Sequence, residues 1–352
     1  MNSVMLFLLS LCHLWQQISA QMIFESAAPT MPTTAIVNRE CQCVLGIICP
    51  PGTDGGVNIR IVNTGASCPA GYVLCCTSNG GGGGGGGIND PSCGIRKIAP
   101  STDPVGEAVY GAYPWMVALL TKNNDGYVGG GVLISATHVL TVAHKVANYS
   151  TLNIPLKVRL GSLKLEWNAQ ATTEPNPYVE ISVSKVTLHE QYNPQSLQND
   201  IAILKLSSAA PIATSPNINT ACLPSAATAA GTRCWVSGWG KDAFGNSGMY
   251  PRSLKEVDVP VISPADCQTA LRKKTRLGDF FVLSSSFMCA GGEVGKDACT
   301  GDGGSPLVCS TNNGPYQVVG LVTWGIGCAS AEVPGVYTDV FNFRSWIIQQ
   351  AT

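Results

Sequence analysis

Fifteen cysteines in 352 residues restrict this fold more than any other feature of the sequence. Six of them fall within one short segment, at Cys41, Cys43, Cys49, Cys68, Cys75 and Cys76. Because so short a segment cannot bury enough apolar surface to fold, we expect three disulfides there, each contributing roughly 2–4 kcal/mol. Zinc is the alternative, but adjacent Cys75 and Cys76 and a segment without histidine suit a tetrahedral site poorly. Spacing alone does not select among the possible pairings.

Residues 1–20 have the pattern of a secretory signal peptide. Residues 4–11 form a short apolar core, and the segment ends in the small residue Ala20. A buried N-terminal strand is the alternative. Because Cys12 lies in this peptide, fourteen of the fifteen cysteines remain, an even number that suits complete pairing in an oxidising compartment. We therefore expect a secreted, extracellular protein, in which the sequon at Asn148 is available for glycosylation.

Composition and one glycine run indicate how the chain is divided. A formal net charge of −1 with 12% charged residues gives no basic face for nucleic acid, and no later stretch is apolar for long enough to cross a bilayer. Residues 80–87 are all glycine, which predicts a flexible tether and a domain boundary. The predicted divisions after the signal peptide are an N-terminal segment at 21–40, a disulfide-rich domain at 41–76, a linker at 77–92 and a large domain at 93–352.

The large domain consists of short β-branched runs between turn signals. These runs are Trp115–Leu120, Gly131–Ser135, Leu156–Leu160, Val179–Leu188, Ile201–Leu206 and Val318–Val322. No long segment shows a helical period before the C-terminal end, where Phe341–Gln349 is predicted to form an amphipathic helix. Many short strands with Gly- and Pro-rich turns favour a β-barrel or a β-sandwich.

Three segments contain residues suited to nucleophilic catalysis. His144 follows the apolar pair Val139-Leu140, and Asp200 stands at the head of a predicted buried strand. Residues 297–309 form a glycine-rich turn that contains two cysteines. In serine hydrolases a histidine takes the proton of a hydroxyl nucleophile, and a carboxylate orients that histidine.

These segments carry a resemblance that covers the whole of residues 93–352, which resemble a chymotrypsin-fold, trypsin-like protease domain. Further matching motifs are Tyr113-Pro114-Trp115-Met116-Val117, Gly238-Trp239-Gly240, Thr323-Trp324-Gly325 and Pro334-Gly335-Val336-Tyr337. Residues 41–76 resemble the clip domain found ahead of arthropod serine proteases. Together the two regions resemble clip-domain serine protease homologues, whose masquerade-like members act as cofactors in prophenoloxidase activation. The resemblance implies a mostly β fold: a chymotrypsin-like double β-barrel with a C-terminal helix, preceded by a small disulfide-rich clip domain.

The same resemblance implies how the cysteines pair. Within the clip domain it implies Cys41–Cys75, Cys43–Cys68 and Cys49–Cys76. Within the protease-like domain it implies Cys234–Cys309, Cys267–Cys289 and Cys299–Cys328. The remaining pair, Cys93–Cys222, would clamp the linker onto that domain.

The nucleophile that the family needs is missing. The family has it in a Gly-Asp-Ser-Gly-Gly-Pro turn, where this chain reads Gly301-Asp302-Gly303-Gly304-Ser305-Pro306. Gly303 therefore occupies the nucleophile position, while His144 and Asp200 match the other two members of the triad. Ser305 lies roughly 5–7 Å further along the backbone, beyond the ~3 Å reach of a general base. We expect a degenerate triad and a pseudo-protease.

Two further departures accompany Gly303. The sequence that family proteases expose on activation would fall at Thr102-Asp103-Pro104-Val105, which does not match it, so Asp302 should lack its usual partner. The disulfide that flanks the catalytic histidine is replaced by Gly129 and Lys145. We expect the loop that carries His144 to be less restrained, and we interpret this as sequence drift after catalysis ceased. The positive charge of Lys145 should disfavour the imidazolium form of His144.

The resemblance also places Asp297 at the floor of a trypsin-like specificity pocket, with Gly325 and Gly335 as its open walls. That pocket is either a relic or a site that holds a basic loop of a partner. No cluster has metal-site spacing, and the family's calcium loop would begin near Ser162, where a carboxylate is expected. We therefore expect no metal and no cofactor.

Three functions follow from this sequence. The favoured one is a non-catalytic cofactor that binds an activating clip-domain protease, prophenoloxidase or copies of itself in a haemolymph-like fluid. Its processing by a trypsin-like enzyme is expected at Arg39 or Arg60, with Arg96-Lys97 as a further basic pair. The alternatives are an active trypsin-like endopeptidase and a pattern-recognition or adhesion protein on microbial surfaces.

Overall fold

The chain divides into two compact units, Met1–Gly81 and Gly82–Thr352. The structure, a computed structural model, describes residues 40–45, 53–54, 72–77, 87–99, 106–165, 174–241, 250–296, 302–310, 314–327 and 331–351. The predicted signal peptide, both processing sites, Arg39 and Arg60, and the pocket residue Asp297 lie outside these ranges.

The first unit contains a three-stranded antiparallel sheet. Its strands are β1 (Glu40–Leu45), β2 (Thr53–Asp54) and β3 (Tyr72–Thr77), in the order β1-β3-β2. The register sets Cys41 opposite Cys76 and Gln42 opposite Cys75, so the backbone brings cysteine positions from both ends of the segment together. Cys49 and Cys68 lie outside the described residues.

The second unit begins with a closed six-stranded barrel. Its strands are β4 (Met116–Thr121), β5 (Tyr127–Ser135), β6 (His138–Thr141), β7 (Leu156–Leu160), β8 (Val179–Leu188) and β9 (Ala202–Leu206), in the order β4-β5-β6-β9-β8-β7. Val117, Leu119, Leu133, Val139 and Leu204 belong to one buried cluster. Burial of these branched side chains stabilises the barrel by roughly 1.5–3 kcal/mol each.

A second closed barrel follows. Its strands are β10 (Arg233–Gly238), β11 (Lys255–Ile262), β12 (Phe287–Gly291), β13 (Pro306–Cys309), β14 (Gln317–Trp324) and β15 (Pro334–Asp339), in the order β10-β11-β12-β15-β14-β13. In β11 the buried Val259 and Val261 alternate with less buried residues, as in a strand with one face toward a core. The prediction of a mostly β, trypsin-like double barrel is confirmed.

Three helices accompany the barrels: α1 (Ala143–Thr151), α2 (Pro264–Lys274) and α3 (Arg344–Gln350). The C-terminal helix was predicted, although it begins three residues later than expected. The expectation that no helix precedes it is wrong. α2 begins with a cap, because the Ser263 side chain accepts a hydrogen bond from the Asp266 backbone N–H. Only Cys267 and Leu271 of α2 are buried, too few to produce a clear helical period.

Three disulfides link the described parts of the second unit: Cys93–Cys222, Cys234–Cys309 and Cys267–Cys289. They are the pairs that the resemblance implies for these six cysteines, whereas Cys299 and Cys328 lie outside the described residues. No helix in the described part of the chain is long and apolar enough to cross a membrane.

Candidate functional site

The first barrel supplies a histidine and a carboxylate that face each other. His144 is the second residue of α1, just after β6, and Asp200 lies two residues before β9. His144 Nδ1 donates to Asp200 Oδ2 at 2.6 Å, and the His144 backbone N–H donates to Asp200 Oδ1 at 2.8 Å. Asp200 is wholly buried and needs such donors. Because Nδ1 donates its proton to the carboxylate, Nε2 is the ring nitrogen left for another partner.

Two threonines of the second barrel hold this pair from behind. Thr338 Oγ1 donates to the backbone oxygen of Asp200 at 2.7 Å, and the hydroxyls of Thr323 and Thr338 lie 2.8 Å apart. Both threonines are buried. The sequence motifs gave no sign of this support, because β14 and β15 become neighbours of Asp200 only when the two barrels pack together.

Gly303 lies directly beside the free edge of the imidazole. A Cβ placed on Gly303 would be 3.0 Å from His144 Nε2 and 2.5 Å from Lys145 Cε. The Gly303 backbone oxygen accepts from the Gly130 N–H at 3.0 Å, which fixes the turn against the first barrel. The structure therefore brings His144, Asp200 and Gly303 together, and the only groups that Gly303 presents there are those of the backbone.

Ser305 lies in the interior, away from the imidazole edge. Its side chain is wholly buried, and its Oγ has no hydrogen-bond partner in the described part of the chain. The Oγ sits against Gly130, and a Cβ placed on Gly238 would be 3.1 Å from it. The space for this hydroxyl exists because neither glycine carries a side chain. A hydroxyl in this position is inaccessible to a substrate.

Asp302 is also turned into the interior. It is 9% exposed, and its Oδ1 accepts from the Gly240 backbone N–H at 2.7 Å. A Cβ on Gly240 would come within 2.6 Å of Asp302 Oδ2, so the Gly-Trp-Gly motif leaves the room that this carboxylate needs. Burial, followed by the charge of Asp302, raises the pKa of the Tyr127 phenol well above its usual value. Residues 102–105, where the family's activation sequence would fall, lie outside the described residues.

The Lys145 side chain lies against both Gly129 and Gly303, two positions where the family has a larger side chain. Its Cγ and Cδ lie 3.3 Å from a Cβ placed on Gly129, and its Cε lies 2.5 Å from a Cβ placed on Gly303. Burial lowers the pKa of Lys145, and the charges of Asp302 and Asp200 oppose this shift only in part. The sequence identified the positive charge near His144 but not that this side chain would fill the space left by two missing side chains.

The expectation of a less restrained loop needs correction for the backbone next to His144. This segment is not a loose loop but the first turn of α1, and the His144 N–H is anchored on Asp200 at 2.8 Å. A Cβ on Gly129 would also lie 2.7 Å from the Gly303 backbone oxygen, so close packing replaces the missing disulfide.

The two walls of the predicted pocket have different surroundings. Gly335 is buried in β15, opposite Ala290 of β12. Gly325 follows β14, and a Cβ placed there would meet, among the described residues, only the Gly327 backbone oxygen, at 3.6 Å. Since their expected floor, Asp297, lies outside the described residues, the pocket stays a prediction.

The other two histidines in the described ranges, and the segment near Ser162 where the family's calcium loop would begin, have ordinary structural surroundings. His138 is buried in β6 with its Nδ1 3.0 Å from Ser135 Oγ, and His189 packs against Phe343 and Trp346. Ser162 Oγ donates to the Lys164 backbone oxygen at 2.7 Å. Within the described ranges, no group of three or more His, Cys, Asp or Glu side chains is arranged to hold a metal ion.

Two closed barrels with a His–Asp pair at their junction define the class of chymotrypsin-like serine proteases and their homologues. Residues 105–347 match the trypsin family, and the chain belongs to that family.

Relatives with known names refine this assignment. Inactive CLIP domain-containing serine protease A3 of Aedes aegypti is 48% identical over 92% of this chain and 69% of its own length. Phenoloxidase-activating factor 2 of Galleria mellonella is 47% identical over 74% of this chain and 86% of its own. Inactive CLIP domain-containing serine protease A28 of Anopheles gambiae is 40% identical over 68% of this chain and 61% of its own length. The resemblance to clip-domain serine protease homologues is thereby confirmed.

Proposed function

We propose that this chain is a secreted, non-catalytic serine protease homologue that acts as a binding cofactor in an extracellular immune protease cascade, the one that activates prophenoloxidase. One observation carries the proposal: beside His144 Nε2, where a nucleophile is needed, Gly303 offers no side-chain oxygen. Members of a catalytic triad act as a unit, so the loss of one costs several orders of magnitude in rate.

His144 and Asp200 then have a structural role. The two hydrogen bonds between them connect the start of α1 to the chain ahead of β9, so both residues contribute to the stability of the first barrel without catalysing any reaction. A buried carboxylate with its donors in place stabilises the fold, whereas the same carboxylate without them would destabilise it.

The alternative of an active trypsin-like endopeptidase requires another nucleophile. Ser305 is the nearest serine in the sequence, and its complete burial argues against it. A serine-directed fluorophosphonate probe tests this directly. We expect no labelling of the purified protein under conditions that label trypsin, and a stoichiometric adduct would contradict the proposal.

A cofactor of this kind raises a reaction rate by holding two proteins near each other, which increases their effective concentration. The proposed partners are an activating clip-domain protease and prophenoloxidase, in line with the name of the Galleria mellonella relative. The predicted pocket of Asp297, Gly325 and Gly335 would hold a basic loop of one partner. The proposed layout is a signal peptide at 1–20, a clip domain at 41–76, a glycine-rich linker and the protease-like domain from Cys93.

Processing is proposed at Arg39 or Arg60 rather than at the later basic pair. The Arg96 guanidinium lies 4.5 Å from the centre of the Tyr316 ring. Lys97 Nζ donates to the backbone oxygen of Ile218 at 2.8 Å and also to that of Ile212. Because these contacts hold Arg96 and Lys97 on the barrel, a protease cannot easily draw this segment into its cleft.

Reconstitution tests the proposed function. Purified prophenoloxidase and its activating protease would be incubated with and without this protein, and phenoloxidase activity would be measured over time. We expect activity to depend on the added protein. The Arg39→Gln and Arg60→Gln variants serve as controls for each other, because only the variant that blocks the required cut should lose the effect. Equal activity with and without the protein would refute a cofactor role.

A further inference from the structure

Lys145 places a positive charge where the family has a neutral hydroxyl. Its Cε lies 2.5 Å from the point where a Cβ on Gly303 would stand, and His144 Nε2 lies 3.0 Å from the same point. The lysine side chain and the free edge of the imidazole therefore converge on one small region of the cleft.

Neither of these groups has a partner in the part of the chain that the structure describes. His144 uses Nδ1 and its backbone N–H for Asp200, while Nε2 makes no hydrogen bond there. Lys145 Nζ makes neither a hydrogen bond nor an ion pair with any described residue. The nearby carboxylates have other donors, since both oxygens of Asp200 accept from His144 and Asp302 Oδ1 accepts from Gly240.

The charges of Asp302 and Asp200 act on Lys145, but they offset the effect of its burial only in part. Burial lowers the pKa of Lys145, so its ammonium group lacks full hydration and gains from a negatively charged neighbour. Lys145 also lies in the first turn of α1, which contains no acidic residue. The Asp200 carboxylate accepts from the His144 N–H of that turn, so the positive charge beside Gly303 comes from the lysine and not from the helix N-terminus.

We infer that Lys145 Nζ and His144 Nε2 together bind the carboxylate of an Asp or Glu side chain that a protein partner inserts into the former catalytic cleft. The inference rests on the proposed function, because it assigns a ligand to a site that binds instead of cutting. A carboxylate has two oxygens, so one accepts from the ammonium and the other from Nε2, which takes up a proton from solvent on binding because Nδ1 already donates to Asp200. The side chain of His144 is 24% exposed, which gives such a group access.

The test uses the full chain, labelled with ¹⁵N in its histidines, and two probes of equal size. One probe is the peptide acetyl-Gly-Glu-Gly-amide, and the other carries Gln in place of Glu. We expect the Glu peptide to shift the His144 ring resonances saturably and the Gln peptide to leave them unchanged. In Lys145→Met the affinity should fall by at least about tenfold, as for loss of a charged contact. Lys122→Met, at an exposed position directly after β4, is the matched control.

The resonances of His138 and His189 report whether each variant is folded, and Lys145→Gln serves as a second variant if Lys145→Met is not. Equal responses to the two peptides, no response in the wild type, or full affinity in a folded Lys145 variant would each overturn the inference. The reconstitution experiment separates this failure from that of the proposed function, because it measures phenoloxidase activation and needs no peptide.

Discussion

The two halves of the former catalytic centre have changed to different extents. The half from the first barrel keeps His144 and Asp200 in a tight pair at 2.6 Å, supported from behind by Thr338. The half from the second barrel has no hydroxyl at Gly303. The pair makes hydrogen bonds that connect the start of α1 to the chain ahead of β9, whereas Gly303 contributes only backbone groups. We therefore expect the fold to depend more on the first half than on the second.

The largest expected effect concerns the half that is kept. Asp200→Ala removes the acceptor of two His144 donors from a wholly buried position, so we expect the free energy of unfolding to fall by about 2–4 kcal/mol. Chemical denaturation measures this difference. Asp279→Ala, at an exposed position, should change it by less than about 0.5 kcal/mol. Equal stabilities of the two variants would show that Asp200 is a relic without a structural role.

The next prediction concerns the half that is lost. Gly303→Ser should not produce hydrolysis of an arginine ester substrate, because the Lys145 side chain fills the required space and the activation sequence is absent. The added side chain should instead lower stability by about 1–3 kcal/mol through overpacking. In Gly303→Ser/Lys145→Ala most of that loss should be recovered, as measured by a double-mutant cycle. Robust hydrolysis by Gly303→Ser would contradict both reasons, whereas hydrolysis by the double variant alone would contradict only the argument from the absent activation sequence.

A smaller effect tests the support behind the retained pair. Thr338→Val keeps the shape of the side chain but removes the hydrogen bond to the Asp200 backbone oxygen, so we expect a loss of about 1–2 kcal/mol in unfolding free energy. Thr338→Ser retains the hydroxyl and should lose clearly less. If the two variants are equally stable, the hydroxyl contributes no more to stability than the methyl group does, and the proposed support of Asp200 is contradicted.

The smallest effect on stability is expected at Asn148. This residue is exposed on α1, so a glycan can be attached without disturbing the barrel. Protein secreted by eukaryotic cells should lose mass on treatment with an N-glycosidase, whereas Asn148→Gln should show no such change and should unfold at the same denaturant concentration. An unchanged mass of the wild type would mean that the sequon is not used.

The sequence predicted those parts of the molecule that depend on a local pattern, such as the short strands, or on the pairing of cysteines. β7 and β8 have the predicted bounds because each is a short apolar or alternating run between clear turns. The short helix α1 was missed, because its N-terminus has neither a side-chain cap nor an acidic residue in the first turn. The position of Lys145 was not predictable either, since it depends on how β5, α1 and the turn at Gly303 pack together.

The bridge between Cys93 and Cys222 also affects how a cut behind Cys93, beyond the proposed sites Arg39 and Arg60, would be detected. If a protease cut the backbone between Ile98 and Gly106, both fragments would stay covalently attached through their sulfur atoms. On a gel run without reductant, such a nicked molecule would migrate as one species of nearly unchanged mass, and only a thiol reagent would release the amino-terminal piece.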